Sequence, residues 1–323
     1  MAIRKAVITA AGRGVRLYPV ADTVQKSMLP LIDRDGLTKP VIQIIAEEAL
    51  DSGIEAICIV CAPGDEERYR AQLAQLRENL LSVHAGVEWA AAQAERLDKL
   101  RACLSFAVQE EALGYGHAVH CAKDFVGEES FLLLLGDHLY LSHEPGKRCA
   151  EQLIDLAARE DCAVAAVRAT REHLINRYGT VSGRREADLP GVYTIETIRE
   201  KPSLSMAELK LHTPGLRAGH YLCFFGMHVL PHRIFTLVEE EMDRHGDGEG
   251  GTQLTPALQE LARRERYLAA ELRGERRDIG ANFGLLQAQL ALGLAGAERD
   301  TMLATIVELM AEHNRGVDPP EGA

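Results

Sequence analysis

Short apolar runs and helix-patterned segments alternate from the first residues onward, and this alternation restricts the fold more than any other feature. AVITAA (6–11) is apolar but for Thr9, as expected of a strand buried on both faces. VIQIIAEEALDSG (41–53) has helical spacing and stops at Gly53; EAICIVCA (55–62) is a second strand and GDEERYRAQLAQLREN (64–79) a helix. A long Ala- and charge-rich stretch continues as helix to Arg101. LSFAVQE (104–110), GHAVHCAKDFV (116–126) and FLLLLGD (131–137) then read as strand, helix and strand. CAVAAVR (162–168) and GVYTIETIRE (191–200) extend the sheet. Strand–helix alternation predicts an α/β fold: a mostly parallel, twisted central sheet with helices on both faces. Near the C-terminus, TMLATIVELMAE (301–312) sets Met302, Ile306, Leu309 and Met310 on one helical face, which is read as a core-packing stripe.

Such a sheet binds ligands at the carboxyl ends of its strands, so the segments just after strands are the ones to inspect. After the first strand comes AAGRGVRLYPVADTVQKSML (10–29). A dinucleotide fingerprint would need a third glycine at position 17, which is leucine, and a Gly-Lys-Ser/Thr triphosphatase loop is absent. The stretch offers flexible backbone N–H groups around Ala11, Gly12 and Gly14, then the cations Arg13, Arg16 and Lys26. Backbone donors beside cations suit a triphosphate. Taken alone the stretch is equally a tight turn with solvated cations. The fourth strand ends in Asp137, and an ionised carboxylate closing an apolar strand is costly unless it meets a cation.

Charge and cysteine content exclude several classes. A formal net charge of −12 argues against general nucleic-acid binding, and requires any anionic substrate to be met by local positive charge or a metal. The seven cysteines are scattered. The close pair Cys58 and Cys61 would point to opposite faces of a strand, so they cannot chelate one metal and are expected to be reduced and buried. With no signal peptide in sight and no run of about 18 apolar residues, a cytoplasmic protein without membrane partners is expected.

The motifs fall into a familiar series. Gly-x-Gly-x-Arg, Pro19 and Lys-x-Met-Leu-Pro (26–30) resemble the opening motif of the sugar-phosphate nucleotidyltransferases. VQEEALGYGHAV (108–119) is similar to the nucleotide-binding turn of their bacterial UTP–glucose-1-phosphate uridylyltransferase branch. LLLLGD (132–137), RYGTV (177–181), REKP (199–202), RAGHYL (217–222), TQLTPAL (252–258) and RRDIG (276–280) follow in family order. The resemblance spans about residues 3–294. It implies a Rossmann-like nucleotidyltransferase fold over 1–295, with a nucleotide-binding part to about 140, a sugar-binding part from 141 to 295, and a C-terminal helix and tail from 296 to 323.

The implied reaction is attack by a sugar-1-phosphate oxygen on the α-phosphorus of UTP, with release of pyrophosphate. By resemblance, Arg16 and Lys26 neutralise phosphate charge, Asp137 and Asp278 hold Mg²⁺, and Lys201 holds the sugar phosphate. Ala11, Gly12 and Gly14 approach the nucleotide through backbone, Gln109 meets the uracil edge, Gly114 leaves room for the base and His117 opens the next helix. Glu200 accepts from sugar hydroxyls, while Gly179 and Gly219 let backbone approach the sugar. His117 and His120 also read as helix residues without ligand contact, and Asp278 as a helix-start cap. A homo-oligomer is expected.

The chain departs from the family at Val15, Asp22, Gln25, Ser27 and Asn282, where relatives carry Thr, a cation, Pro, Glu and Lys. An insertion, RDGLTK (34–39), lengthens a loop expected near the active site. Alternatives are a dTTP-using thymidylyltransferase and a non-catalytic nucleotide-sugar-binding regulator; a dehydrogenase lacks the necessary glycine.

Overall fold

A computed structural model describes residues 2–12, 14, 24–245 and 251–315. Arg13, Val15, Arg16, Pro19 and Asp22 lie outside the described residues. In chain order the strands are β1 (Lys5–Thr9), β2 (Pro30–Ile32), β3 (Thr38–Pro40), β4 (Ala56–Cys61), β5 (Leu104–Val108), β6 (Phe131–Leu135) and β7 (His138–Ser142). They continue as β8 (Ala163–Arg171), β9 (Thr180–Arg185), β10 (Val192–Arg199), β11 (His220–Leu230), β12 (Tyr267–Glu271) and β13 (Gly274–Asp278). The helices are α1 (Val41–Leu50), α2 (Asp65–Val83), α3 (Glu88–Cys103), α4 (Tyr115–His120), α5 (Lys123–Val126) and α6 (Cys149–Glu160). After them come α7 (Leu204–Lys210), α8 (Arg233–His245), α9 (Leu254–Arg264), α10 (Gly284–Ala295) and α11 (Arg299–Arg315).

Among the described residues, nine strands form one sheet in the order β5-β4-β1-β6-β11-β8-β12-β10-β9. The first four are parallel throughout. Strand β11 runs antiparallel to both β6 and β8, so β8 is again parallel to β6, and β12 follows β8 in parallel. Strands β10 and β9 finish the sheet antiparallel. Consequently the carboxyl ends of β1, β6, β8 and β12 and the amino end of β11 share one edge.

Each central strand is buried on both faces, which is why it reads as a continuous apolar run. Ala6, Ile8, Leu132 and Leu134 enter one core, under α1, α2, α3, α6 and α10; Val7, Phe131 and Leu133 enter the other, under α4, α8 and α9. Cys61 lies in the first core and Cys58 in the second, as period-two geometry requires, and all seven cysteines are free thiols. The long helical stretch after position 64 breaks between α2 and α3 at Gly86, whose φ of 79° turns the chain back. GHAVHCAKDFV likewise divides into α4 and α5.

One expectation needs correction. The 301–312 stripe is not a core face: Met302 packs over Gly293, but Leu309 and Met310 are 60% and 62% exposed. Periodicity marks an apolar face without saying what covers it. The 34–39 insertion closes the β2–β3 hairpin and contacts α1 and the link before α11. Its Lys39 is 3% exposed and ion-paired to Asp33, Asp35 and Glu47 at 2.8, 2.6 and 2.9 Å, and the Arg34 carbonyl accepts from Ala297 N. No helix among the described residues is long and apolar enough to cross a membrane.

Candidate active site

The ends of β1 and β6 meet closely. A Cβ on Gly136 would lie 2.8 Å from Thr9 O and 2.9 Å from the Ala10 Cβ, so only glycine permits this approach. The next residue, Asp137, turns out of the sheet to face Lys26, whose Nζ is 2.6 Å from Oδ2. Lys26 stands on a one-turn 3₁₀ helix, Lys26–Met28, anchored by the buried Ser27, whose hydroxyl donates to Gly136 O at 3.0 Å. Gly12 lies alongside; its missing Cβ would sit 4.0 Å from Lys26 Nζ. Ala11 packs on the core below, and Gly14 has a φ of 65°.

Strand register brings in the second carboxylate. His138 opens β7 and pairs with Asp278 at the end of antiparallel β13, while Ile279 N donates to Asp137 O. Carboxylate oxygens of Asp137 and Asp278 and a ring nitrogen of His138 lie within 4.8 Å of one another. His138 Nδ1 is 2.8 Å from Asp137 Oδ1. Burial alone would push the Asp137 carboxyl up, but His138 and then Lys26 outweigh it and hold the group well below the usual carboxylate range. It is therefore an anion waiting among cation-type donors. Asp278 does not cap a helix: α10 starts six residues later, and Asp278 Oδ1 instead accepts from Gly280 N at 2.9 Å. A Cβ on Gly284 would fall 2.0 Å from Asp278 O, so this turn is wound tightly around the aspartate.

The turn expected to meet the base, the base-side turn, follows β5. Gln109 is buried, and its amide nitrogen donates to Gly114 O at 3.1 Å and to His117 Nδ1 at 3.0 Å. Both N–H groups are thus engaged, which leaves the carbonyl oxygen as the acceptor on offer. Burial lowers the His117 pKa, consistent with a neutral ring accepting from Gln109. His120 turns elsewhere and pairs with Glu239 at 2.9 Å. Gly114 has a φ of 101°, and its Cβ would sit 2.5 Å from Thr252 O. The space this glycine leaves is thus taken by the Thr252 backbone, a role that the sequence did not suggest.

The group expected to meet the sugar, the sugar-side group, sits where β10 ends. Lys201 adopts φ 43°, unfavourable for a residue with a side chain, and its N–H donates to Tyr178 O. Glu200 Oε2 accepts from Thr255 Oγ1 at 2.7 Å, and Oε1 lies 3.7 Å from Lys201 Nζ. Gly179 is required here: a Cβ would stand 2.6 Å from Phe224 Cδ2 and 3.2 Å from Glu200 Oε2. Gly219 is not joined to this group; its nearest side chain is the Glu172 carboxylate. Between these two groups lies the Tyr115 phenol, close to Thr9. Burial, then the charges of Asp137 and Glu200, raise its pKa, so both carboxylates act on one hydroxyl.

The structure therefore unites Lys26 with Asp137 and Asp278, Gln109 with Gly114 and His117, and Gly179 with Glu200 and Lys201. Sequence reasoning missed His138, Tyr115 and Thr255. Tyr115 and Thr255 sit inside quoted motifs and His138 just after one, but a histidine, tyrosine or threonine carries no signal until register and packing give it a partner.

The nucleotidyl transferase family model matches residues 5–293. A UTP–glucose-1-phosphate uridylyltransferase of Bacillus subtilis (strain 168) is 33% identical over 309 residues, 95% of each chain. A UDP-glucose pyrophosphorylase solved with UDP-glucose superposes with a TM-score of 0.72 at 27% identity, covering 90% of this chain and 98% of that one. A UTP-bound UDP-glucose pyrophosphorylase of Acinetobacter baumannii gives a TM-score of 0.72 at 25% identity, covering 95% and 99%. The apposed strand ends, the paired aspartates and these likenesses lead to one conclusion: the chain belongs to the nucleotidyl transferase family.

Proposed function

We propose that this protein transfers the uridylyl group of UTP to glucose 1-phosphate, forming UDP-glucose and pyrophosphate. The observation that carries this reading is the Lys26–Asp137–Asp278 group beside the Glu200–Lys201 pair, with Asp137 and Glu200 both acting on the Tyr115 phenol. The grouping fits a phosphate-handling site beside a sugar-handling one, and the Bacillus subtilis relative and the UTP- and UDP-glucose-bound neighbours bear the matching names.

The chemistry asks little of side chains as nucleophiles. A phosphate oxygen of the sugar phosphate is already ionised near neutral pH; it bonds to the α-phosphorus as the bond to the bridging β-oxygen breaks, and pyrophosphate carries the charge away. Catalysis is then positioning and charge neutralisation. Lys26 would turn from Asp137 to the reacting phosphates, with Arg16 assisting by its place in the opening motif. The Gln109 carbonyl would accept from uracil N3–H, with Ala11, Gly12 and Gly14 providing backbone approach. Glu200 would take sugar hydroxyls and Lys201 the sugar phosphate.

Two carboxylates offering hard oxygen donors at one spot fit Mg²⁺, which when bound would neutralise phosphate charge. Asp137 and Asp278 would hold it, with His138 orienting Asp137. A homo-oligomer acting in the cytoplasm completes the reading. Pyrophosphate release measured with each nucleoside triphosphate and glucose 1-phosphate tests it. UTP should be preferred; preference for dTTP, or UDP-glucose binding without turnover at any Mg²⁺ level, would overturn it.

A further inference from the structure

The sugar-side carboxylate is not held by its own strand. Glu200 follows β10 on the surface, and its Oε2 accepts from the hydroxyl of Thr255, in the first turn of α9, at 2.7 Å. The segment leading to Thr255 is itself clamped to the base-side turn. Thr252 N donates to Leu113 O at 2.7 Å, and Gly116 N donates to Thr252 O at 2.8 Å. Three glycines make this crossing possible. Added Cβ atoms on Gly114 and Gly251 would lie 2.5 Å from Thr252 O and Leu113 O, and one on Gly116 3.0 Å from Gln253 backbone. One short stretch, 251–255, thus grips the turn carrying Gln109 and His117 at one end and the Glu200 carboxylate at the other.

We infer that Thr255 is a positioning residue for sugar-phosphate binding, its hydroxyl fixing the Glu200 carboxylate at a set distance from the base-side turn. An exposed glutamate samples many rotamers, and holding one oxygen in advance leaves the other oriented when the sugar arrives. The inference rests on the sugar-binding role proposed for Glu200.

The test compares full-length wild type with Thr255→Val, which removes the hydroxyl at nearly constant shape, and Thr255→Ser, which keeps it. Kinetics are measured on whichever nucleoside triphosphate and sugar-1-phosphate pair the wild type accepts. The wild type's choice of pair tests the proposed function, and the ratio of variant to wild type tests Thr255. Thr255→Val should raise KM for the sugar phosphate about tenfold, with kcat and the nucleotide KM within about twofold, because the Thr252 clamp is intact. Thr255→Ser should restore the wild-type KM. An unchanged sugar-phosphate KM in Thr255→Val, parallel rises in both KM values, or a Thr255→Ser variant as impaired as the valine would overturn the inference. Should the valine variant fail to fold, Thr255→Ala serves under the same criteria.

Discussion

The two halves of the sheet, one proposed for the nucleotide and one for the sugar, build their candidate groups by different routes. On the nucleotide side, parallel β5, β4, β1 and β6 deliver Gln109, the Ala11–Gly12 turn and Asp137 directly from their carboxyl ends. Each of these residues is one to three positions past the end of its strand. On the sugar side, antiparallel pairing assembles Gly179, Glu200 and Thr255 from three separate segments, joined only by tertiary contacts. The lesson is one of division of labour. On the proposed function, the parallel half would set the reacting phosphates, and the patchwork half is where one side chain should be alterable without disturbing the rest.

The difference can be broken most severely at Asp137. Asp137→Asn keeps the shape but removes the charge that Lys26 and His138 hold, and kcat for pyrophosphate release should fall by about 10³-fold. A kcat near wild type would show that the parallel half does not carry the chemistry.

Next comes the seam between the halves. Glu48 on α1 accepts from Ala150 N at the start of α6, and burial pushes its carboxyl up to about 7 from 4.5. Between those values the folded chain keeps a proton that the unfolded chain has lost. Folding stability should therefore fall as pH rises through this window, by about 3 kcal/mol in total from this one group. Glu48→Gln should flatten that slope in urea titrations from pH 4.5 to 7.5; an unchanged slope would remove Glu48 from the account.

Lys201→Ala sharpens the contrast from the sugar side. KM for the sugar phosphate should rise about tenfold while KM for UTP stays put, and equal effects on both would merge the two halves functionally. The smallest effect belongs to the C-terminal helix. Met310→Ser should change stability by no more than about 0.5 kcal/mol, whereas Leu133→Ala in the sheet should cost about 2–5 kcal/mol. Urea denaturation of the two variants side by side decides it, and a large loss at Met310 would restore that stripe to the core.

These contrasts also explain what was legible in advance. Strands such as FLLLL and AICIVC stand out because burial on both faces admits only apolar residues. The loops after them could be placed from α/β geometry, and Asp137 stood out as a charge ending an apolar run. The reversed direction of β11 was not legible, because an eleven-residue apolar strand reads the same either way. The His138–Asp278 pairing depends on a register between segments 140 positions apart. Thr255 and Tyr115 gain meaning only from their neighbours, and the buried charge of Lys39 only from the carboxylates of Asp33, Asp35 and Glu47.

The placing of Cys58 and Cys61 in opposite cores has a practical chemical consequence. Burial pushes both thiols up to about 12, and that of Cys162 to about 11. Cys103, Cys121, Cys149 and Cys223 are raised as well, burial being the largest cause for each. Alkylating agents and peroxides attack the thiolate, and near neutral pH these sulfurs hold almost none of it. The protein should keep its activity through purification in air without added reductant, and maleimide should label it slowly while it stays folded.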